Sequence, residues 1–234
     1  MDKMQTDVNS HLGAGARLTG LFSAPRQTFV AAGVRPLPWA PLILVMLVSW
    51  ITVFFTVDLI MDTQMDAMRD MMHEQGLAMA ELDSTLEKMS GYTRISTFVG
   101  APLGKLVNTA FWALVLWGLG SLMLGAKVSY AAVLEVAAYG ELVQALGGLF
   151  RVPLMLGSDS LTVDLGLGAF VPTGTALHRL LSPMDPISVG AMVLVGIGLA
   201  TMYRTSTGRA MGVVFGPWLA SLLVFNVWLA GLVG

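Results

Sequence analysis

The stretch PWAPLILVMLVSWITVFFTVDLI, residues 38–60, carries a single ionisable group, Asp58, close to its end. A helix needs about 20 largely apolar residues to cross roughly 30 Å of hydrocarbon. In lipid every backbone N–H and C=O must find a partner within the protein, which a helix provides along its whole length. Four more runs follow: residues 96–124, interrupted by Lys105; 128–150, carrying Glu135 and Glu141; 187–203; and 210–233. Only 12% of the chain is charged and 55% is hydrophobic, against about 25% charged in an ordinary soluble domain. The reading is an all-α polytopic integral membrane protein. It has a cytoplasmic N-terminal segment, residues 1–36, and a membrane domain of five transmembrane helices over 37–234. The first 35 residues show no basic start, apolar core and small-residue cleavage site in succession, so the first span is expected to stay attached.

The run 128–150 is the costly one. A central ionisable residue opposes insertion by about 2.5 to 3.5 kcal/mol, while each Leu or Val returns about 0.3 to 0.6. Its carboxyl groups are therefore expected to face protein or water. Lys105, Glu135 and Glu141 are the candidate intramembrane polar site. Lys105 and Glu141 lie at similar depths below the outer ends of antiparallel runs and can meet, either as part of a polar path or as an ion pair that docks two helices. Glu135 stands six residues before Glu141, a rotation of about 240°, so the two acids do not line one face.

Orientation follows Lys and Arg near the spans. Lys3, Arg17, Arg26, Arg35, Lys127, Arg204 and Arg209 gather on one side in short segments. Arg69, Lys88, Arg94, Arg151 and Arg179 lie on the other, spread over two long loops. The N-terminus is thus expected in the cytoplasm and the C-terminus outside. The loop 62–94 then lies outside with seven acids against three bases.

Around that loop DLIMDTQMDAMRDMMHEQ, residues 58–75, sets acids on one side of a helix and Met61, Met65, Met68 and Met72 on the other. Carboxylates one turn apart diverge, whereas calcium wants six to eight converging oxygens; methionines can hold a soft copper ion. The seam-like spacing of the four methionines favours a helix-packing or partner face. The return segment 77–89, after a turn at Gly76, is the first expected cover and a partner protein the second. Residues 10–33 form an amphipathic, basic interfacial helix, with Ser23 as N-cap and Pro25 in the first turn. In the outer loop 152–186 a short helix is expected, capped by Thr173 and stopped by Pro183 and Pro186. Gly208, Gly212 and Gly216 share one side of the last run, a face that lets helix backbones approach. The mate is another span of this chain or a second protein.

Several chemistries are excluded on composition. A formal charge of -2 without a dense basic block gives nucleic acid no track. The absence of cysteine removes disulfides, thiolate metal sites and cysteine nucleophiles. His11, His73 and His178 are scattered, and no zincin, nucleophile-elbow or phosphate-loop spacing occurs. No enzyme activity, cofactor or metal is expected.

LFSAPRQTF at 21–29, GAKVSYAAVLEVAAYGEL at 125–142, LLSPMDPIS at 180–188 and GIGLATMYRTSTGRAMG at 196–212 resemble, in order and spacing, the Yip family of five-span membrane proteins, in its prokaryotic branch. The resemblance implies a five-span fold with a cytoplasmic N-terminus and an outside C-terminus. Eukaryotic members interact with Ypt and Rab GTPases; their longer N-terminal region and acidic-Leu-x-Gly-Pro type motif are missing here, so that interaction does not carry over. The functional expectation is a non-enzymatic scaffold or accessory in the cell (inner) membrane. It touches lipid and binds other membrane proteins or organises the membrane, with an export system as a candidate setting. The alternative is a small-solute or lipid transporter using Lys105, Glu135 and Glu141.

Overall fold

The computed structural model describes residues 12–74, 79–161, 163–173 and 175–224, and over 72–74 and 79–89 the backbone alone. Its helices are α1 (Ala14–Ser23), α2 (Pro25–Val34), α3 (Trp39–Glu74), α4 (Met79–Leu124), α5 (Tyr130–Ser158), α6 (Ala176–Leu181), α7 (Pro186–Met202) and α8 (Thr207–Leu222), with a short 3-10 turn at Leu167–Phe170. No strand occurs among the described residues.

Among the described residues three helices contain segments long and apolar enough to cross a membrane: Trp39–Met71, Ser90–Leu124 and Tyr130–Ser158. The sequence reading expected five. α7 is apolar but has 17 residues, a rise of about 25 Å. α8 has 16, and its apolar run from residue 225 on lies beyond the described residues. α3 runs well past residue 60 because neither Gly nor Pro stops it there: the acid and methionine stretch is the same helix continued.

The chain divides into two compact units, between which α3, α4 and α5 pass. In the unit formed by Met46–Leu106 and Ala145–Val163, Val53, Val57 and Met61 make a buried seam at four-residue spacing, with Met65 and Phe98 packed against it. Trp50 Nε1 donates to the Phe98 carbonyl at 2.9 Å, and Arg94 pairs with Asp58.

In the other unit, Met1–Val45, Val107–Gln144 and Asp164–Gly234, α7 packs chiefly against α8 and α2. Single glycines take single large side chains. A Cβ at Gly196 would lie 2.4 Å from Met211 Sδ, one at Gly140 would lie 2.5 Å from Val195 Cγ2, and one at Gly120 would lie 2.7 Å from the Tyr203 ring. The Tyr203 hydroxyl donates to the Trp117 carbonyl at 3.3 Å, and Trp117 Nε1 to the Val128 carbonyl at 2.9 Å. These contacts bring the α4–α5 connection and the α7–α8 turn to one end of the unit.

Three helix-end expectations are corrected. Ser23 does not cap α2: it closes α1, its hydroxyl donating to the Thr19 carbonyl at 3.2 Å, while Ala24 takes the N-cap position and Pro25 the first turn. Thr175, not Thr173, caps α6, accepting from the His178 N–H at 3.1 Å. Pro186 begins a helix rather than stopping one, because Asp185 ahead of it accepts from the N–H groups of Ile187 and Ser188.

Candidate functional site

Glu135 stands in the second turn of α5 and is fully buried. An isolated carboxylate there would cost far more than a helix can recover, so a partner is required. That partner is Arg17, itself 1% exposed, whose Nη1 lies 2.8 Å from Glu135 Oε1.

The reach of Arg17 follows from how residues 14–34 fold. The break at Ala24 turns α2 back along α1, and the two approach closely because Gly20 has no side chain: a Cβ there would sit 2.6 Å from Thr28 Oγ1. The resulting hairpin turns backbone carbonyls toward the guanidinium. Arg17 Nε donates to Leu12 O at 2.9 Å, and Nη2 to Ala31 O at 3.3 Å and Arg35 O at 2.9 Å. The second oxygen of Glu135 accepts the Leu37 N–H at 2.6 Å, two residues before α3 begins. One carboxylate thus ties together α1, the segment leading into α3, and α5.

An aromatic floor lies beneath the pair. Tyr139, one turn along α5 from Glu135, meets Phe29 of α2 edge-on, with ring centroids 6.2 Å apart. Its hydroxyl is buried and meets no hydrogen-bond partner among the described residues. Phe29 in turn fills the space above Gly198 of α7, where a Cβ would lie 3.3 Å from its ring.

The other residues singled out from sequence fall elsewhere. Glu141 is buried on α5 and Lys105 half-buried on α4, in different units; neither is a free charge. Gly208, Gly212 and Gly216 are exposed, and a Cβ at any of them would meet no described atom within 4 Å. The face of α8 inside the unit is instead that of Ala210, Val213 and Val214, with Met211 seated at Gly196. Met61 is buried and Met65 packs beside it. Met68 is half-buried. The Met72 side chain, the turn at Gly76 and the side chains of the return segment 77–89 lie outside the described residues.

A second polar cluster joins Asp164, His178 and Ser182. His178 Nε2 lies 2.7 Å from Asp164 Oδ2, and the Ser182 hydroxyl donates to Asp164 Oδ1 at 2.6 Å. A nucleophilic triad needs the imidazole between serine and acid. Here one ring nitrogen, His178 Nε2, faces both the acid and, at 3.5 Å, the Ser182 hydroxyl, and the serine donates to the acid directly, so the cluster ties the loop after α5 to α6. Among the described residues no group of three His, Cys, Asp or Glu side chains is placed to hold a metal ion.

Sequence reasoning identified Glu135 as an intramembrane acid but counted Arg17 among the bases of an interfacial helix. The available signal was that both fall near the same end of the chain's spans. The missing information was the fold-back at Ala24.

Compared with known proteins, residues 19–229 match the Yip1 domain. The chain belongs to the Yip family. The Yip1 domain begins within α1, two residues past Arg17, and takes in Glu135, Tyr139 and the whole of α2 through α8. Membrane protein YknW of Bacillus subtilis (strain 168) is 23% identical over 230 residues, covering 96% of this chain and 93% of that protein. No solved structure matches.

Proposed function

We propose that this Yip-family membrane protein is a non-enzymatic scaffold or accessory that binds other proteins of the cell (inner) membrane. In this reading α7 and α8 complete five spans, with the N-terminus in the cytoplasm and the C-terminus outside. The observation that carries it is the use made of Glu135: the intramembrane acid is sealed at zero exposure by Arg17 and the Leu37 N–H, which makes it a fastening rather than a station on a solute path. The exposed glycine side of α8 gives a partner helix room to approach.

The test separates this from transport through Lys105 and Glu141. Protein purified in mild detergent should carry a stoichiometric membrane partner, lost on Gly212→Leu, while liposomes holding the protein alone show no solute or lipid flux. Flux that collapses on substituting Lys105 or Glu141 would overturn the scaffold reading. Topology is checked separately in the natural cysteine-free background. Single cysteines at Gln75 and Thr207 should react with an impermeant maleimide from opposite sides of the membrane; labelling from one side would refute the five-span arrangement.

A further inference from the structure

The end of the unit that holds the Arg17–Glu135 pair is rich in bases and poor in acids. Arg35, Lys127, Arg204 and Arg209 are exposed there, and Arg26 is exposed on the same hairpin. Contacts within the unit bring them together: the Arg35 carbonyl is held by Arg17, Gly33 borders Met202, and Tyr203 joins the α7–α8 turn to α4. No acid occurs in residues 12–57, 107–134 or 186–222. Among the described residues the one carboxylate at this end, Glu135, is consumed by Arg17, so it neutralises none of the five exposed bases.

Arg204 adds an independent sign. It occupies the position after the α7 C-cap with φ +50, and the Thr205 N–H reaches back to the Ala200 carbonyl at 3.0 Å. This is a Schellman ending, in which the left-handed residue is usually glycine because a Cβ is strained there. An arginine at that place costs the turn something, and its exposed guanidinium meets no partner among the described residues. The strain points outward, to what the guanidinium meets.

We propose that this basic rim binds the headgroups of anionic phospholipids. A bilayer is favoured over an acidic soluble protein because large exposed apolar side chains flank the bases along the same segments: Phe22, Val34, Trp39 and Leu122, at 71%, 60%, 57% and 82% exposure. Cations beside exposed apolar and aromatic groups are what a headgroup layer resting on acyl chains accommodates. A lipid phosphate accepts from the exposed guanidinium groups of Arg204 and Arg209, and the flanking side chains meet its tails. The inference needs membrane embedding alone and goes beyond the scaffold reading.

The full chain in mild detergent, given phosphatidylglycerol or phosphatidylcholine with the same acyl chains, should retain phosphatidylglycerol preferentially in native mass spectrometry. Each base removed should weaken retention about fivefold. Arg204→Gly is the decisive variant, since glycine relieves the backbone: the protein should melt no lower than the parent yet hold less phosphatidylglycerol. Lys127→Gln with Arg209→Gln should deepen the loss. Equal retention of the two lipids, or unchanged retention in Arg204→Gly and the triple variant, would overturn the proposal. So would an acidic protein that binds the parent but not the triple variant while phosphatidylglycerol is not retained.

Discussion

Arg17→Ala and Glu135→Ala are each expected to destabilise the folded protein by about 3–5 kcal/mol, a fall on the order of 10 °C in thermal midpoint for a chain of this size. Removing the guanidinium leaves a carboxylate at zero exposure facing only the Leu37 N–H, and deprives the carbonyls of Leu12, Ala31 and Arg35 of a donor. Removing the carboxylate leaves a buried cation and an unaccepted N–H at Leu37. The double variant Arg17→Met with Glu135→Leu should lose less than the two single changes together, because no unpaired charge remains. Its residual loss reflects the orphaned backbone groups, at about 1 kcal/mol each. Thermal melts of the parent, both single variants and the double variant in one detergent close the cycle, with a coupling on the order of 2 kcal/mol expected. Additive losses would mean that the two side chains act separately and that the fastening role is wrong.

The pair also marks where sequence stops being legible. Five apolar runs declare themselves through local composition, and the helices over 39–71, 90–124 and 130–158 follow from length and the rule that backbone groups in lipid pair internally. Glu135 could be recognised as needing a partner because the cost of a bare intramembrane acid is a local property. Its partner, 118 residues away in sequence, could not be read. It depends on a hairpin whose decisive features are one glycine at 20 and one proline at 25, and a stretch of basic and apolar residues reads equally well as a surface helix. The continuation of α3 past residue 60 is equally legible, since the acids and methionines of 58–75 keep a helical spacing and nothing between 58 and 74 breaks a helix. The basic rim was visible as a charge bias, but the left-handed backbone at Arg204 was not, since the turn following α7 contains no glycine at that position to announce it.

Glycine packing supplies the other large effect, and here sequence pattern and structure part ways. Gly198→Leu is expected to cost about 3 kcal/mol or more: its Cβ alone would lie 2.6 and 3.0 Å from the Val136 methyl carbons and 3.3 Å from the Phe29 ring. Val136 and Phe29 are both at zero exposure, so neither has space to yield, and Phe29 cannot retreat without disturbing Tyr139 beneath the ion pair. Gly212→Leu is the matched control. The Gly208, Gly212 and Gly216 stripe looks like a backbone-to-backbone packing face because its spacing is regular, whereas the close contacts at Gly120, Gly140, Gly196 and Gly198 are with large side chains seated over single glycines, with no regular repeat for a pattern search to find. A Cβ at Gly212 meets no described atom, so Gly212→Leu should leave the melting temperature within about 2 °C of the parent. Melts of the two variants side by side decide the matter. A large loss at Gly212 would place the stripe within the fold, and a small one at Gly198 would mean that α2, α5 and α7 do not meet there. If Gly198→Leu collapses while Gly212→Leu melts normally and yet loses its membrane partner, the two kinds of glycine are separated by role: one admits this protein's own side chains, the other leaves a helix face for another protein.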